Sequence, residues 1–477
     1  MKQLLIFSVL FVLSAKALPA MVADTIRYGN FGKVTIYKPA SSPDALVLFI
    51  SGESGWEPGF SNLATRLAKE GALVAGIDSR RLLVNLKKEQ DKCFYPAGDC
   101  ESLSLYLQKK YKIHNYLKPI LMGHSSGATL AYGILAQAPS NTFKGAISMA
   151  FSPELKSDKP LCEGTGLKIH PLKTAKTNYL EPSGKLTAPF IAICGTADKN
   201  CSISDLTAYM KTVSYSELVP LPNAGHGLKD GINWLPQLLI AYAKIKKAPT
   251  YAELVASGNP GPKQPQLVKL ETDLPLIILP AARNDTLPLI LFISGDGGWT
   301  SFDEGVSEKL IEKGIPVIGL DAQKYFWQAR TPDETSAEIT KVLHHYLAAW
   351  NKKSFVLCGY SFGADIIPYL LTRLPADLAP LQKSAVMMSP DQSADFEIHV
   401  ADMLNFGSSR DKYNVLAEIK KSASKHVVCI FGKEESSEPP KLFKTAGATI
   451  RLLPGDHHYE NDFSMISREI VNTLKSK

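Results

Sequence analysis

The sequence predicts two tandem α/β domains, each built on a mostly parallel, doubly wound sheet. Three observations carry that expectation. The chain has 477 residues, 45 % of them apolar and 21 % charged, which is enough for two hydrophobic cores. A long segment occurs twice. In both copies, short unbroken runs of valine, isoleucine and leucine alternate with helical patterns. Continuous rather than alternating apolar strands indicate a sheet covered on both faces, and strand–helix alternation indicates parallel pairing.

The duplication is plain in the residues. "ALVLFISGESGWEPGFSNLATRLAKEGALVAGIDS" (45–79) matches "PLILFISGDGGWTSFDEGVSEKLIEKGIPVIGLDA" (288–322) without a gap, at an offset of 243. Each copy reads as strand, glycine-rich loop, amphipathic helix ending at glycine, and second strand. Further strands are expected at "PILMG", "GAISMAF", "FIAIC" and "SELVPL" in the first copy, and at "FVLCG", "SAVMMS", "VVCIF" and "TIRLL" in the second. Between the copies lies "KKAPTYAELVASGNPGPKQPQ", whose proline, glycine and polar residues read as a linker. The expected boundaries are a first domain over 22–246, a linker over 247–266 and a second domain over 267–477.

The N-terminus, "MKQLLIFSVLFVLSAKALPAMVAD", reads as a secretory signal peptide over residues 1–17. Lys2 supplies the positive start and Gln3 to Leu13 the apolar run. Ala15-Lys16-Ala17 is the small-x-small cleavage site, with Leu18-Pro19-Ala20 as second choice. The run is too short for a membrane span, which needs about 20 apolar residues. Removal of Lys2 and Lys16 lowers the formal charge from +7 to +5. The expected location is a bacterial periplasm. The modest positive excess is compatible with an anionic membrane surface, and the lack of a basic run with interleaved aromatics argues against nucleic acid.

Export permits disulfides. Cys93 and Cys100 bracket "CFYPAGDC" and are the expected pair, on a loop that accounts for seven extra residues in the first copy. Cys201 can pair with Cys194 or Cys162. Cys358 and Cys429 lie in strand-like runs and read as buried thiols, and an odd total leaves at least one cysteine unpaired.

The chemistry is in two Gly-x-Ser-x-Gly motifs, Gly123-His124-Ser125-Ser126-Gly127 and Gly359-Tyr360-Ser361-Phe362-Gly363. Each follows an apolar strand and precedes a helix, which is the setting of the α/β-hydrolase nucleophile elbow. A serine hydroxyl needs a histidine base, itself held by a carboxylate, and in this fold the chain order is serine, acid, histidine. The first copy offers Asp198 and His226 after its later strands. The second offers Glu434 or Glu435, and His457 or His458. Matching Gly195 with Gly432, and Leu221-Pro222 with Leu453-Pro454, selects Glu435 and His458. The serine-to-acid spacings are then 73 and 74 residues, and the serine-to-histidine spacings 101 and 97. The oxyanion hole needs two backbone N–H groups. Ser126 or Phe362 supplies one, and Glu53 or Asp296, in "SGESGW" and "SGDGGW", supplies the other. No metal or organic cofactor is required. The adjacent histidine pairs at 344–345 and 457–458 are poor chelators of a single ion.

"SGDGGW", "GLDAQKYFWQARTPDETSAEI", "GYSFGADIIPYLLTRLP", "SPDQSADFEIHV" and "LLPGDHHYEND" resemble the bacterial virulence protein VirJ family, and the two-copy chain behind a signal peptide resembles its longer AcvB type. The resemblance implies a periplasmic serine hydrolase that cleaves lysyl-phosphatidylglycerol to lysine and phosphatidylglycerol, with the catalytic serine at Ser361. The substrate would be an aminoacylated anionic phospholipid at a membrane surface, and secretion-system components are further partners. A cationic acyl group calls for carboxylates, and Asp395, Glu397 and Asp402 are expected to hold its ammonium groups. The matching stretch of the first copy, "SPELKSDKPLCEGTGLKIHPLKTAKTNYLEP", is rich in lysine and suits anionic headgroups. A general exported esterase or thioesterase, and a non-catalytic periplasmic partner of a secretion system, stand as alternatives.

Overall fold

The structure is a computed structural model. It describes residues 24–88, 92–139, 142–164, 166–172, 176–227, 231–248, 270, 272, 274–281, 287–398, 413–422 and 426–474. The expected signal peptide, Asp402 and nearly all of the expected linker lie outside them.

The first sheet contains β1 (Asp24–Tyr28), β2 (Gly32–Tyr37), β3 (Ala45–Ile50), β4 (Ala72–Ile77), β5 (Ile120–His124) and β6 (Gly145–Met149). Three short strands, β7 (Glu154–Lys156), β8 (Ile169–Pro171) and β9 (Thr177–Leu180), form a separate cap, and β10 (Phe190–Gly195) and β11 (Ser216–Leu221) return to the main sheet. Its order is β1-β2-β4-β3-β5-β6-β10-β11. The pairings from β4 to β11 are parallel, and β1 and β2 form an antiparallel edge. The second sheet contains β12 (Leu276–Leu279), β13 (Leu289–Ile293), β14 (Val317–Leu320), β15 (Phe355–Tyr360), β16 (Gln382–Met388), β19 (Val427–Gly432) and β20 (Thr449–Leu453). The two-residue strands β17 (Ser393–Ala394) and β18 (Tyr413–Asn414) sit apart from it. The order is β12-β14-β13-β15-β16-β19-β20, parallel except at the β12 edge. The two sheets thus share seven strands in one order, from β2 to β11 in the first and from β12 to β20 in the second.

The apolar runs explain the burial. Every residue of β3, β4, β5, β13, β14 and β15 is buried, as expected of strands covered by helices on both faces. The edge strand β20 is largely exposed and the edge strand β11 partly so. The helix Pro58–Lys69 buries Phe60, Leu63, Ala64, Leu67 and Ala68, a single stripe at helical spacing, and Pro58 opens it where no N–H is needed. One tertiary contact explains the duplicated "W…G" pair. A Cβ on Gly76 would lie 2.4 Å from the Trp56 ring, and one on Gly319 would lie 2.3 Å from Trp299. In both copies the tryptophan that ends the glycine-rich loop lies flat on a strand residue that must lack a side chain.

The expected Cys93–Cys100 bridge is not formed. Cys93 bonds Cys162, with Cα atoms 4.8 Å apart, and Cys100 is a buried free thiol. Pro96 starts a helix, Pro96–Lys110, that carries Cys100 inward. Cys93 instead lies on an extended segment that pairs with the cap: Phe94 N–H donates to Pro160 O (3.0 Å) and Cys162 N–H to Phe94 O (2.7 Å). Cys194 bonds Cys201, while Cys358 and Cys429 are buried and free.

The helix Pro96–Lys110 also joins the two halves. Leu105 packs into the apolar cluster of the second domain beside Phe326 and Trp327. One helical turn on, Lys109 Nζ donates to Trp327 O (2.8 Å) and lies 4.3 Å above the Trp327 ring. The Trp327 indole N–H donates to Ile113 O (3.1 Å), and the Tyr116 ring stands 5.3 Å from that of Trp327.

Candidate active sites

The chain leaves β3 to form β4 on one side, then crosses back to form β5 on the other. A crevice opens where the strand order reverses, at the C-terminal ends of β3 and β5. The glycine-rich loop follows β3 and Ser125 follows β5. The same reversal between β13 and β15 places Asp296 beside Ser361. A Cβ on Gly295 would lie 3.7 Å from Ser361 Cβ, and one on Gly52 would lie 3.4 Å from Ser125 Cβ.

Both serines sit in the left-handed region, Ser125 at φ 53°, ψ −120° and Ser361 at φ 50°, ψ −122°. Such a conformation costs about 1–3 kcal/mol and persists only where its surroundings enforce it. Ser125 N–H donates to Met149 O (3.0 Å) and Ser361 N–H to Met388 O (2.8 Å), which fixes each turn to the neighbouring strand. The flanking glycines are compulsory, since a Cβ on Gly359 would lie 2.3 Å from Gly363 O and one on Gly363 2.3 Å from Ile293 O. Ser126 and Phe362 begin their helices, so their N–H groups have no helical acceptor and are available to an oxyanion.

In the first domain, Ser125, His226 and Asp198 come together. Ser125 Oγ is 2.9 Å from His226 Nε2. His226 Nδ1 lies 2.8 and 3.1 Å from the two carboxylate oxygens of Asp198. Asp198 is fully buried and also accepts the N–H groups of Asn200 (2.8 Å) and Cys201 (3.2 Å). The Cys194–Cys201 disulfide closes the loop that carries Asp198. Cys194, Asp198 and Cys201 are spaced like metal ligands, but there the two sulfurs are bonded to each other. Ser125 Oγ has a second neighbour: its hydroxyl donates to Glu53 Oε2 at 2.9 Å.

In the second domain the acid is Glu435, and the histidine it holds is His457. Glu435 Oε2 is 3.2 Å from His457 Nδ1, while Glu435 Oε1 accepts Gly432 N–H (2.6 Å) and Ser389 Oγ–H (2.8 Å). Burial opposes ionisation of Glu435, but these hydrogen bonds outweigh it and hold its pKa below the usual value. His458 points elsewhere, with Nδ1 3.9 Å from Asp456 and a largely exposed ring. The sequence-based choice of His458 is therefore corrected to His457. The turn after β20 has one residue fewer than the turn after β11, so matching the strand ends displaces the histidine by one. A second contact shows the equivalence. The residue before each serine donates to the carbonyl of the histidine, His124 Nε2–H to His226 O (2.8 Å) and Tyr360 O–H to His457 O (3.3 Å). Among the described residues, no hydrogen bond joins Ser361 Oγ to His457. Glu434 lies outside the pairing, and its N–H donates to Gly455 O.

The carboxylates expected to hold an ammonium group are only partly free. Glu397 Oε1 lies 3.8 Å from Lys109 Nζ of the first domain. Asp395 is half-buried beside it, next to buried Phe396. Two further carboxyls cluster at the loop: that of Asp296, of which the sequence reading used the backbone alone, and that of Glu101, which it missed. Burial raises the Asp296 pKa above its usual value. Glu101 comes from the helix Pro96–Lys110, on the same stripe as Leu105 and Lys109. Burial, and then the nearby charges of Asp296 and Asp321, push its pKa up to about 7. The i, i+4, i+8 spacing of Glu101, Leu105 and Lys109 was the available signal, since it places one polar residue at each end of an apolar contact. The lysine-rich cap of the first domain borders a cavity of about 410 Å³ between Leu83, Val84 and Phe94 and the lysines Lys87, Lys156 and Lys176. Lys87 and Lys176 both pair there with Asp158.

Two parallel sheets, each with a strained serine at its topological switch point and an acid–histidine pair after the following strands, define a tandem protein of the α/β-hydrolase class. Residues 44–150 and 286–477, more than half of the chain, match the family described as "Bacterial virulence protein (VirJ)", and the chain belongs to that family. A search of curated proteins finds no match. Similar solved structures include the esterase domain of a Rhodothermus marinus protein, 14 % identical over 47 % of this chain and 98 % of that one, with a TM-score of 0.33. Butyrate-bound esterase Est2 of Thermogutta terrifontis is 19 % identical over 51 % and 96 %, TM-score 0.33. An alpha-beta serine hydrolase homologue from Coxiella burnetii is 14 % identical over 48 % and 99 %, TM-score 0.31. Among the described residues no helix is long and apolar enough to cross a membrane.

Proposed function

We propose that the protein is an exported serine carboxylic-ester hydrolase that cleaves the aminoacyl ester of lysyl-phosphatidylglycerol at a membrane surface, with Ser361 as nucleophile, His457 as base and Glu435 as the orienting acid. The observation that carries this reading is the juxtaposition, in the crevice of the second sheet, of the strained Ser361 elbow, the Asp296 loop and the Glu435–His457 pair. His457 Nε2 takes the Ser361 proton as Oγ attacks the lysyl carbonyl. The N–H groups of Phe362 and Asp296 stabilise the oxyanion. His457 then protonates the departing glycerol oxygen, and a water deprotonated by His457 releases lysine. The cationic acyl group is suited to the carboxyls of this region: Asp296 in the loop beside the serine, Glu101 near Asp296, and Asp395 and Glu397. Two disulfides fit export to an oxidising compartment such as the periplasm, where secretion-system components are candidate partners.

A general esterase is the second reading, favoured by the engagement of Glu397 with Lys109. The test is lysine release from lysyl-phosphatidylglycerol vesicles by the full chain, by Ser361→Ala and by Ser125→Ala. Loss of release in Ser361→Ala supports the proposal. Release that survives Ser361→Ala and disappears in Ser125→Ala overturns the assignment of Ser361, and no release from the intact protein, with simple esters still cleaved, establishes the general esterase.

A further inference from the structure

Among the described residues, the nucleophile of the first domain makes two side-chain contacts that Ser361 does not make. Ser125 Oγ stands 2.9 Å from His226 Nε2 and 2.9 Å from Glu53 Oε2. A hydroxyl has one proton to donate. While that proton is directed at Glu53, it is not directed at His226, and His226 cannot remove it. Glu53 therefore competes with the base for the proton that attack requires. Glu53 is exposed to the crevice, and among the described residues no lysine or arginine pairs with it. Its backbone N–H is at the same time the expected second donor of the oxyanion hole. The carboxylate thus lies within one side-chain length of the position where the scissile carbonyl must sit.

A carboxylate so placed disfavours most esters. It repels the developing oxyanion and holds the serine proton. One substrate class turns it to advantage, an acyl group with a cation next to its carbonyl carbon. In an α-amino acid ester the ammonium nitrogen is two bonds from that carbon. Drawn onto Glu53, it neutralises the carboxylate, takes over its lone pairs and leaves the Ser125 hydroxyl free to donate to His226 Nε2. The equivalent Asp296 is one methylene shorter, and its Oδ1 accepts Gly297 N–H (3.0 Å) rather than the serine.

We propose that the first domain is a second catalytic centre, specific for esters of α-amino acids with a free ammonium group, in which Glu53 binds that ammonium and so releases Ser125 to its base. Ser125 Oγ bonds to the carbonyl carbon as its proton passes to His226 Nε2. The ester C–O bond breaks, and the alcohol leaves with that proton. Water then attacks the acyl-serine, gives one proton to His226 and frees the amino acid, and the proton returns to Ser125 Oγ. No oxidant, metal or co-reactant other than water is needed. The ammonium chemistry is that of the proposed lysyl substrate, but the centre is distinct and does not depend on Ser361.

The experiment uses the full chain carrying Ser361→Ala, so that the second site is silent. The 4-nitrophenyl esters of alanine and of N-acetylalanine are compared, with Ser125→Ala/Ser361→Ala as the background for spontaneous hydrolysis. The expected result is turnover of the free-amine ester above that background, and a ratio of kcat/KM for free over acetylated ester that falls about tenfold or more in Glu53→Gln/Ser361→Ala. The ratio is taken on one preparation, so partial misfolding cancels. A Ser361→Ala protein no faster than the double variant overturns the proposal, as does a ratio that Glu53→Gln leaves unaltered. Lysyl-phosphatidylglycerol vesicles form the second arm. Lysine release by Ser361→Ala that the double variant lacks identifies a lipid alcohol, and soluble-ester turnover without it identifies a soluble one. Failure of lysine release from the unaltered chain bears on the function proposed for Ser361, whereas the soluble-ester ratio bears on Glu53 alone.

Discussion

His457→Ala and His458→Ala, two neighbouring substitutions, should have opposite consequences for the activity that depends on Ser361. His457 Nδ1 is held by Glu435, itself fixed by Gly432 N–H and Ser389 Oγ–H, so the imidazole is locked in the tautomer whose Nε2 is a base. Removing the base of a serine triad costs on the order of 10⁵-fold in kcat, which is about 7 kcal/mol of transition-state stabilisation. His458 has one long polar contact, 3.9 Å to Asp456, and loose ring contacts at 6.3 Å to Tyr360 and 6.4 Å to Phe302, and its side chain is more than half exposed. Substitution at such a site is worth about 0.5 kcal/mol, or roughly twofold in rate. The assay is steady-state hydrolysis of an aminoacyl ester by each variant in a Ser125→Ala background. A His458→Ala loss as deep as that of His457→Ala would refute the reasoning, because Glu435 would then be orienting the wrong ring.

Four further outcomes are expected. Glu435 is held below its ordinary pKa, so the stability it contributes is present above its unfolded value of 4.5 and is lost as pH falls through the lower folded value; Glu435→Gln should flatten the acid limb of a melting-temperature profile. Asp303 behaves in the opposite sense. Burial lifts it from 3.8 to about 7, so its contribution is lost as pH rises between those values, and Asp303→Asn should weaken the fall in stability over that window. Peptide mapping without reduction should yield a Cys93–Cys162 peptide and no Cys93–Cys100 peptide. The bond closes a separation of 69 residues, and Cys162→Ser should cost up to about 4 kcal/mol in denaturant unfolding. Gly319→Ala places a Cβ against the Trp299 ring and should cost about 1–3 kcal/mol, read as a lowered midpoint with an unaltered slope.

The two parallel sheets, the glycine-rich loops and both elbows were legible because each depends on local chemistry. Short apolar runs that alternate with helical patterns read as covered strands, and Gly-x-Ser-x-Gly between such a strand and a helix leaves few alternatives. The acids were legible for the same reason, since Asp198 and Glu435 keep a fixed distance from the glycine that ends their strand. His457 was misplaced because the turn before it has no regular period, and one residue of slack moves the ring to a neighbour that is also histidine. The Cys93–Cys100 expectation failed on a competition that spacing does not show. Pro96 starts a helix between the two cysteines, and the real partner, Cys162, is brought up by hydrogen bonds to a distant cap. Glu101 and Lys109 were missed because they act across a domain boundary, and amphipathicity within one helix does not say which body its second face will meet.

The helix Pro96–Lys110 has a thermodynamic consequence. Two copies of one fold on one chain would ordinarily melt separately, each with its own heat-absorption peak. Here Leu105 is part of the apolar cluster of the other copy, and the Trp327 indole gives its N–H to Ile113 of the first. Neither half can unfold without stripping buried surface and hydrogen bonds from its neighbour. Their transitions are therefore coupled, and damage to either core is felt as a loss of melting cooperativity in both.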